Sequence, residues 1–142
     1  MTEGALPNVS MWKVGDQLPQ HVQGPIDRTT LALFAGASND HNPVHIDSDV
    51  AKETGRDDVF AHGMLSMAYL AQLLTRWVPQ SRLLRWSVRF TAITPLHATV
   101  RASGTVTEIL EENGRRVAQI AVNTMTDGGT LTLEGLAFVL MD

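Results

Sequence analysis

Two short runs hold most of the groups in this chain that can do chemistry. They are Ser38-Asn39-Asp40-His41-Asn42-Pro43-Val44-His45 and, seventeen residues after His45, His62-Gly63-Met64-Leu65. Histidine is the side chain whose charge changes nearest neutral pH, so His45 can take a proton and give it back. Asp40, five residues earlier, can hold the same water and relay a proton. Asn42 can hold the loop or the water through its amide. The second run offers a backbone donor. A helix that begins at Gly63 leaves its first N–H groups unpaired and adds the positive end of its dipole, and the missing Cβ lets a carbonyl come close. Acid, base and donor together can move a proton and a water molecule while negative charge develops on an oxygen. His41 and His45 stand four apart, as metal ligands on a helix would, but Pro43 lies between them and breaks that helix. No metal and no redox cofactor are expected.

These residues need elements to position them. Pro25 followed by Asp27 as N-cap opens a helix through Leu31, Leu33, Phe34 and Ala35 that ends near Gly36 to Ser38. Asp40 to His45 therefore follows a helix end, and Asn42, standing before a proline, is pushed toward extended geometry, so the segment reads as an irregular loop. Asp47 or Ser48 can cap a short helix over Val50 to Thr54, and Gly55 to Asp58 reads as a solvated turn; neither piece reads as core. From Gly63 to Val78 apolar residues recur nearly all round a helix, the pattern of a buried one. Its sixteen residues would make a rod of about 24 Å.

The second half supplies a sheet for that rod. Trp86, Val88, Phe90 and Ala92 alternate with Arg85, Ser87, Arg89 and Thr91, the period of a half-buried strand that Pro95 ends. Thr99 to Leu110 and Arg116 to Met125 flank Asn113-Gly114, a strong hairpin turn, and Asp127-Gly128 turns into a last strand over Leu131 to Leu140. Trp12 to Val22 reads as a first strand interrupted at Gly15-Asp16, and residues 1–10 as a flexible arm before a single domain over 11–142. The order implies an α+β fold, one long helix packed on a strongly curved antiparallel sheet.

Composition narrows the function classes. A chain of 142 residues suits one domain. It has no cysteine, which excludes disulfides, thiolate zinc sites and cysteine nucleophiles. A net charge of −4 with eleven scattered Lys and Arg residues argues against nucleic-acid binding. No apolar run approaches the roughly 20 residues that cross a bilayer, and the start lacks the basic and apolar regions of a leader. The expectation is a cytoplasmic protein without membrane insertion.

Phe34 to His45, then Ala61-His62-Gly63-Met64-Leu65, then Val88-Arg89-Phe90-Thr91-Ala92 resemble the MaoC-like family of (R)-specific enoyl thioester hydratases and 3-hydroxyacyl thioester dehydratases. The likeness covers nearly the whole chain after Ser10. In the His-Gly-Met-Leu and Val-Arg-Phe-Thr-Ala runs it is most similar to the catalytic subunit of the mycobacterial fatty-acid synthase II dehydratase. The chain departs from the family pattern at Asn39, often Gly or Glu, and at Pro95-Leu96-His97-Ala98, which alters a turn near the substrate tunnel.

The resemblance implies the hot-dog fold, a curved sheet wrapped around one central helix. It implies reversible hydration of trans-2-enoyl thioesters carried on coenzyme A or acyl carrier protein, with Asp40 and His45 acting together on one water and the Gly63 N–H as oxyanion donor. It also implies a dimer, with a second copy or with a related hot-dog subunit. Around that centre His62 caps or orients the helix start, and Met64, Met67, Trp86 and Phe90 either shape an acyl tunnel or fill the core. Arg85 and Arg89 are either a solvated edge or phosphate contacts, and His97 faces solvent in a turn. Two other classes stay open, a non-catalytic acyl-binding subunit of a heterodimer and an acyl thioesterase on the same fold.

Overall fold

The computed structural model describes residues 7–142. It contains β1 (Gln17–Gln23), α1 (Arg28–Ser38), a one-turn 3-10 segment (Pro43–His45), α2 (Ser48–Glu53) and α3 (Gly63–Thr75). The strands β2 (Leu83–Phe90), β3 (Val100–Glu112), β4 (Arg115–Thr126) and β5 (Leu131–Leu140) follow. The five strands form one antiparallel sheet in the order β1-β3-β4-β5-β2. It curves around α3, which is the α+β hot-dog arrangement. Among the described residues no helix is long and apolar enough to cross a membrane.

Local chemistry explains the ladder. Asn113 and Gly114 both take positive φ, 51° and 75°, and the tight turn they make pairs Glu112 with Arg115. The turn from β4 to β5 closes with Thr126 N–H donating to Thr130 and Gly129 N–H to Thr126, with Gly129 at φ 83°. In β5, Gly135 lies so close to the Ser87 backbone that any Cβ there would strike it. The β2 and β5 strands can pair at this point because the residue is glycine.

The main core lies between α3 and the sheet. Leu70, Leu73 and Leu74 pack with Ala102, Val106, Ile120, Val122, Ala137 and Val139. A second apolar cluster, with Ile26, Leu31, Ala51, Val59, Ala61 and Leu65 among it, lies beneath α1 and α2. Ala51 and Val59 thus make the α2 region part of the core, contrary to the sequence expectation. The cause is Ala51, small enough to be fully buried on a short helix whose Val50 is half-buried and whose other residues are polar, and Val59 just past the turn.

Four other expectations change. The strand expected from Trp12 begins only at Gln17, because Asn8 caps a 3-10 turn over Val9–Met11 and Gly15 turns the chain at φ 96°. Of the expected arm, residues 1–6 lie outside the described residues, while Val9 is buried in the main core and Trp12 donates through Nε1 to the Pro7 carbonyl at 2.8 Å. α3 stops at Thr75 rather than Val78, since the Trp77 and Val78 N–H groups both turn back to the Leu74 carbonyl ahead of Pro79. The helix is also not covered all round: Met64 is 52% exposed, and Met67, Ala68 and Ala71 are half-buried. The sheet wraps one side of it, and α1 and β2 only approach the other.

Candidate active site

The loop after α1 is built from short-range bonds. Asp27 caps α1 by accepting from Thr30 N–H at 2.8 Å, and the helix ends at Asn39, whose left-handed φ of 58° turns the chain aside. Ser38 Oγ then accepts from Asp40 N–H at 3.3 Å, Asp40 Oδ1 from Asn42 N–H at 3.2 Å, and Asn42 Oδ1 from Val44 N–H at 3.2 Å. Each bond spans two residues, and together they wind the backbone into the 3-10 turn that Pro43 starts. The loop is therefore ordered rather than irregular, and Asn42 holds it by capping that turn.

His45 closes the turn and is nearly buried. Its Nδ1 lies 2.7 Å from the Phe60 carbonyl. A carbonyl only accepts, so Nδ1 carries the proton and Nε2 is left with a free lone pair in the neutral ring. His62 is treated likewise from the other side: its Nε2–H donates to the Asp40 carbonyl at 3.0 Å. The two imidazoles stack with centroids 4.0 Å apart and planes 27° from parallel, and Phe34 meets His62 edge-on at 5.0 Å. Burial pushes the His62 imidazole below its ordinary range, which favours the uncharged ring. His62 is the N-cap residue of α3 with no side-chain cap bond. It is a strut joining the Asp40 backbone to the start of α3.

Gly63 is the first residue of α3, and its N–H has no partner among the described residues. The Phe90 ring lies over its Cα, close enough that an added Cβ would come within 2.8 Å of ring carbons. Phe90, expected to be half-buried in the core, is 54% exposed and serves as this cover. A cavity of about 300 Å³ runs past Gly63 between Phe60, Ala61, Phe90, Thr91 and Thr94. Another, of about 350 Å³, holds Asp40 with Phe34, Met64, Met67, Ala71 and Trp86. Gly63 and Met64, adjacent in the chain, face one each.

The fold thus brings Asp40, His45, His62, Gly63 and Met64 together at the N-terminal end of α3, with Asn42 at the edge. It does not bring Arg89 there. That residue lies on the opposite face of β2 from Trp86 and Val88, ion-paired with Glu134. Arg85 is tied to Glu112 at 2.5 Å and lies over the Phe138 ring. Two participants went unnoticed in the sequence. Phe60 acts through its carbonyl, which any residue would supply, and Ala71 matters only for the space it leaves; neither has a sequence signal.

One atom each of Asp40, His45 and His62 lies within 4.8 Å of the others, close enough for a shared cation. The rings argue against that use. A tetrahedral cation takes two imidazoles whose lone pairs converge at a wide angle, whereas nearly parallel stacked rings run theirs side by side. The arrangement suits proton transfer: a free imidazole nitrogen, a carboxylate, and an unpaired N–H at a helix start where charge on an oxygen would be met.

Comparison with known proteins identifies the family. An (R)-specific enoyl-CoA hydratase of Rhodospirillum rubrum is 32% identical over 118 residues, 82% of this chain and 80% of that protein. An (R)-specific enoyl-CoA hydratase of Aeromonas caviae is 32% identical over 111 residues, 77% of this chain and 81% of its own length. The solved (R)-hydratase of A. caviae involved in PHA biosynthesis superposes with a TM-score of 0.82 at 27% identity, over 93% of this chain and 98% of that one. The MaoC like domain matches residues 10–129, which hold every residue of the site just described, and the chain belongs to that family.

Proposed function

We propose that this protein adds water reversibly to trans-2-enoyl thioesters, giving (3R)-hydroxyacyl thioesters, with Asp40 and His45 as the acid/base pair and the Gly63 N–H as oxyanion donor. The observation that carries it is the Nδ1–H bond of His45 to the Phe60 carbonyl. It leaves Nε2 as the base of a ring that has a nitrogen within 4.8 Å of an Asp40 carboxylate oxygen. One water held between them gives its oxygen to the β carbon as Nε2 takes a proton. The electron pair of the double bond moves through the α carbon to the thioester oxygen, where the Gly63 N–H and the helix start meet the charge. A proton returned through Asp40 to the α carbon completes the addition, and dehydration runs the same steps backward. The relatives named (R)-specific enoyl-CoA hydratases support this reading.

The acyl chain lies in the cavity of Met64, Met67, Ala71 and Trp86. The active form is a dimer. Among the described residues β2 is an edge strand with a free ladder side, and Leu84, Met64 and Phe90 near it are exposed apolar groups that a second hot-dog subunit would cover. Following the absorbance of the conjugated enoyl thioester with purified protein tests the reaction. Wild-type protein is expected to consume it and form the (R)-alcohol, and Asp40→Asn and His45→Ala are each expected to lose about 10²–10⁴-fold in rate while keeping the fold. Near-normal rates in both variants overturn the assignment, and release of free thiol instead of alcohol makes the protein a thioesterase.

A further inference from the structure

A groove of about 330 Å³ lies beside the site, lined by Arg56, Asp57, Phe60, Ile93, Leu96 and His97 among others. It shares the wall residues Phe60 and Ile93 with the cavity at Gly63, so the two adjoin there, on the side of Phe60 away from α1 and the Asp40 cavity. We infer that this groove takes the phosphate-bearing arm of the thioester substrate, with Arg56 as its anionic anchor and His97 on its rim. The inference rests on the hydratase reading and adds where the carrier end of the substrate lies.

Charge and geometry carry it. Of the cations lining the described cavities, Arg89 is already paired with Glu134 on the outer face of the sheet. Arg56 lies within ion-pair distance of no carboxylate among the described residues. Its guanidinium carbon lies 5.9 Å from the Phe60 ring centroid, which places the charge where the two cavities meet. Of the two carboxylates in the lining, Asp58 is neutralised by Arg28, whose guanidinium holds it down to about 2. Asp57 has no such partner and opposes an anion.

The rim is pinned. His97 takes a left-handed φ of 69°, uncommon for a residue with a side chain. Its N–H donates to the Ile26 carbonyl at 2.7 Å, and the Ile26 N–H donates to Ala98 at 3.0 Å. This is the turn in which Pro95-Leu96-His97-Ala98 departs from the family pattern. With acyl groups on the Met64 side and the thioester oxygen at Gly63, the carrier arm leaves along Phe60. There it meets Arg56, and guanidinium is well matched to phosphate oxygens.

The test compares a trans-2-enoyl-CoA with the same acyl group on N-acetylcysteamine, which carries no phosphate. Arg56→Ala is expected to raise KM for the coenzyme A ester about fivefold to twentyfold with kcat kept, and to leave the N-acetylcysteamine ester unchanged, the loss of one charge-assisted contact. Arg56→Lys is expected to recover part of the loss, and Asp57→Asn to lower KM for the coenzyme A ester about twofold, since it removes an opposing charge. Equal effects of Arg56→Ala on both esters, or no effect on either, overturn the inference while the hydratase reading stands. Wild-type turnover of neither ester overturns the hydratase reading, and the groove assignment with it.

Discussion

Leu70, Leu73 and Leu74 on one side of α3 are buried against β3 and β4, whereas Met64, Met67 and Ala71 on the other side line a cavity that also holds Asp40. Both sides are apolar, and the helix reads as uniformly buried. The difference lies in what faces them. On the first side, branched side chains meet the inward residues of two long strands and fill space completely, so each contributes mainly to stability. On the second, α1 and β2 stand apart from the helix, and the thioether chains of Met64 and Met67 border open volume. One helix thus has a packed face and an open face, and the proposed oxyanion donor stands at its end.

The variants at Asp40 and His45 bear on the working end alone and carry the largest expected effect. Leu70→Ala breaks the comparison from the other direction. It is expected to cost about 2–5 kcal/mol of unfolding free energy, read from the urea midpoint, with the rate per folded molecule kept. A loss of rate without a loss of stability would erase the distinction between the two sides. Gly63→Ala sharpens it at the junction. The new methyl displaces the Phe90 ring without removing the N–H donor, and the rate is expected to fall up to about 10²-fold with little change in the urea midpoint. Adding Phe90→Ala to that variant is expected to recover part of the rate, because the clash is with the ring.

The smallest effect concerns the strut. Burial lowers the His62 pKa in the folded state, so below its ordinary value of 6.5 the unfolded chain binds the proton more readily. Stability is therefore lost as pH falls through that value. Between pH 7.5 and about 5.5 the urea midpoint of the wild type is expected to drop more than that of His62→Gln. An equal drop in both would mean that the buried imidazole is not a source of the acid sensitivity.

Much of the site was legible because its geometry is local. Asp27 as a cap, the proline after Asn42 and the glycine that opens α3 act on backbone groups within a few residues, and short-range preferences report them directly. The hairpin turn joining β3 and β4 was legible for the same reason, through Asn113-Gly114. What was not legible acts across the fold. Arg89 alternates as expected along β2, but only the pairing with β5 sets Glu134 beside it on the outer face. Phe90 keeps the alternation of a core residue, yet it lies at the end of an edge strand where the sheet has nothing further to cover it. Val9 sits in a segment without period and is buried because a single apolar side chain can fill a gap in a core formed elsewhere.

Residue type and near-neighbour spacing were enough for the order of elements, the hairpin turns, the apolar helix and the choice of Asp40, His45 and Gly63 as the proposed acid, base and donor. That His45 presents Nε2 follows from a carbonyl fifteen residues away, and that His62 stacks on it with its pKa lowered follows from burial, so both come from the folded arrangement. A tautomer and a desolvated ring are properties of surroundings, and distant parts of the chain supply those surroundings only once it has folded.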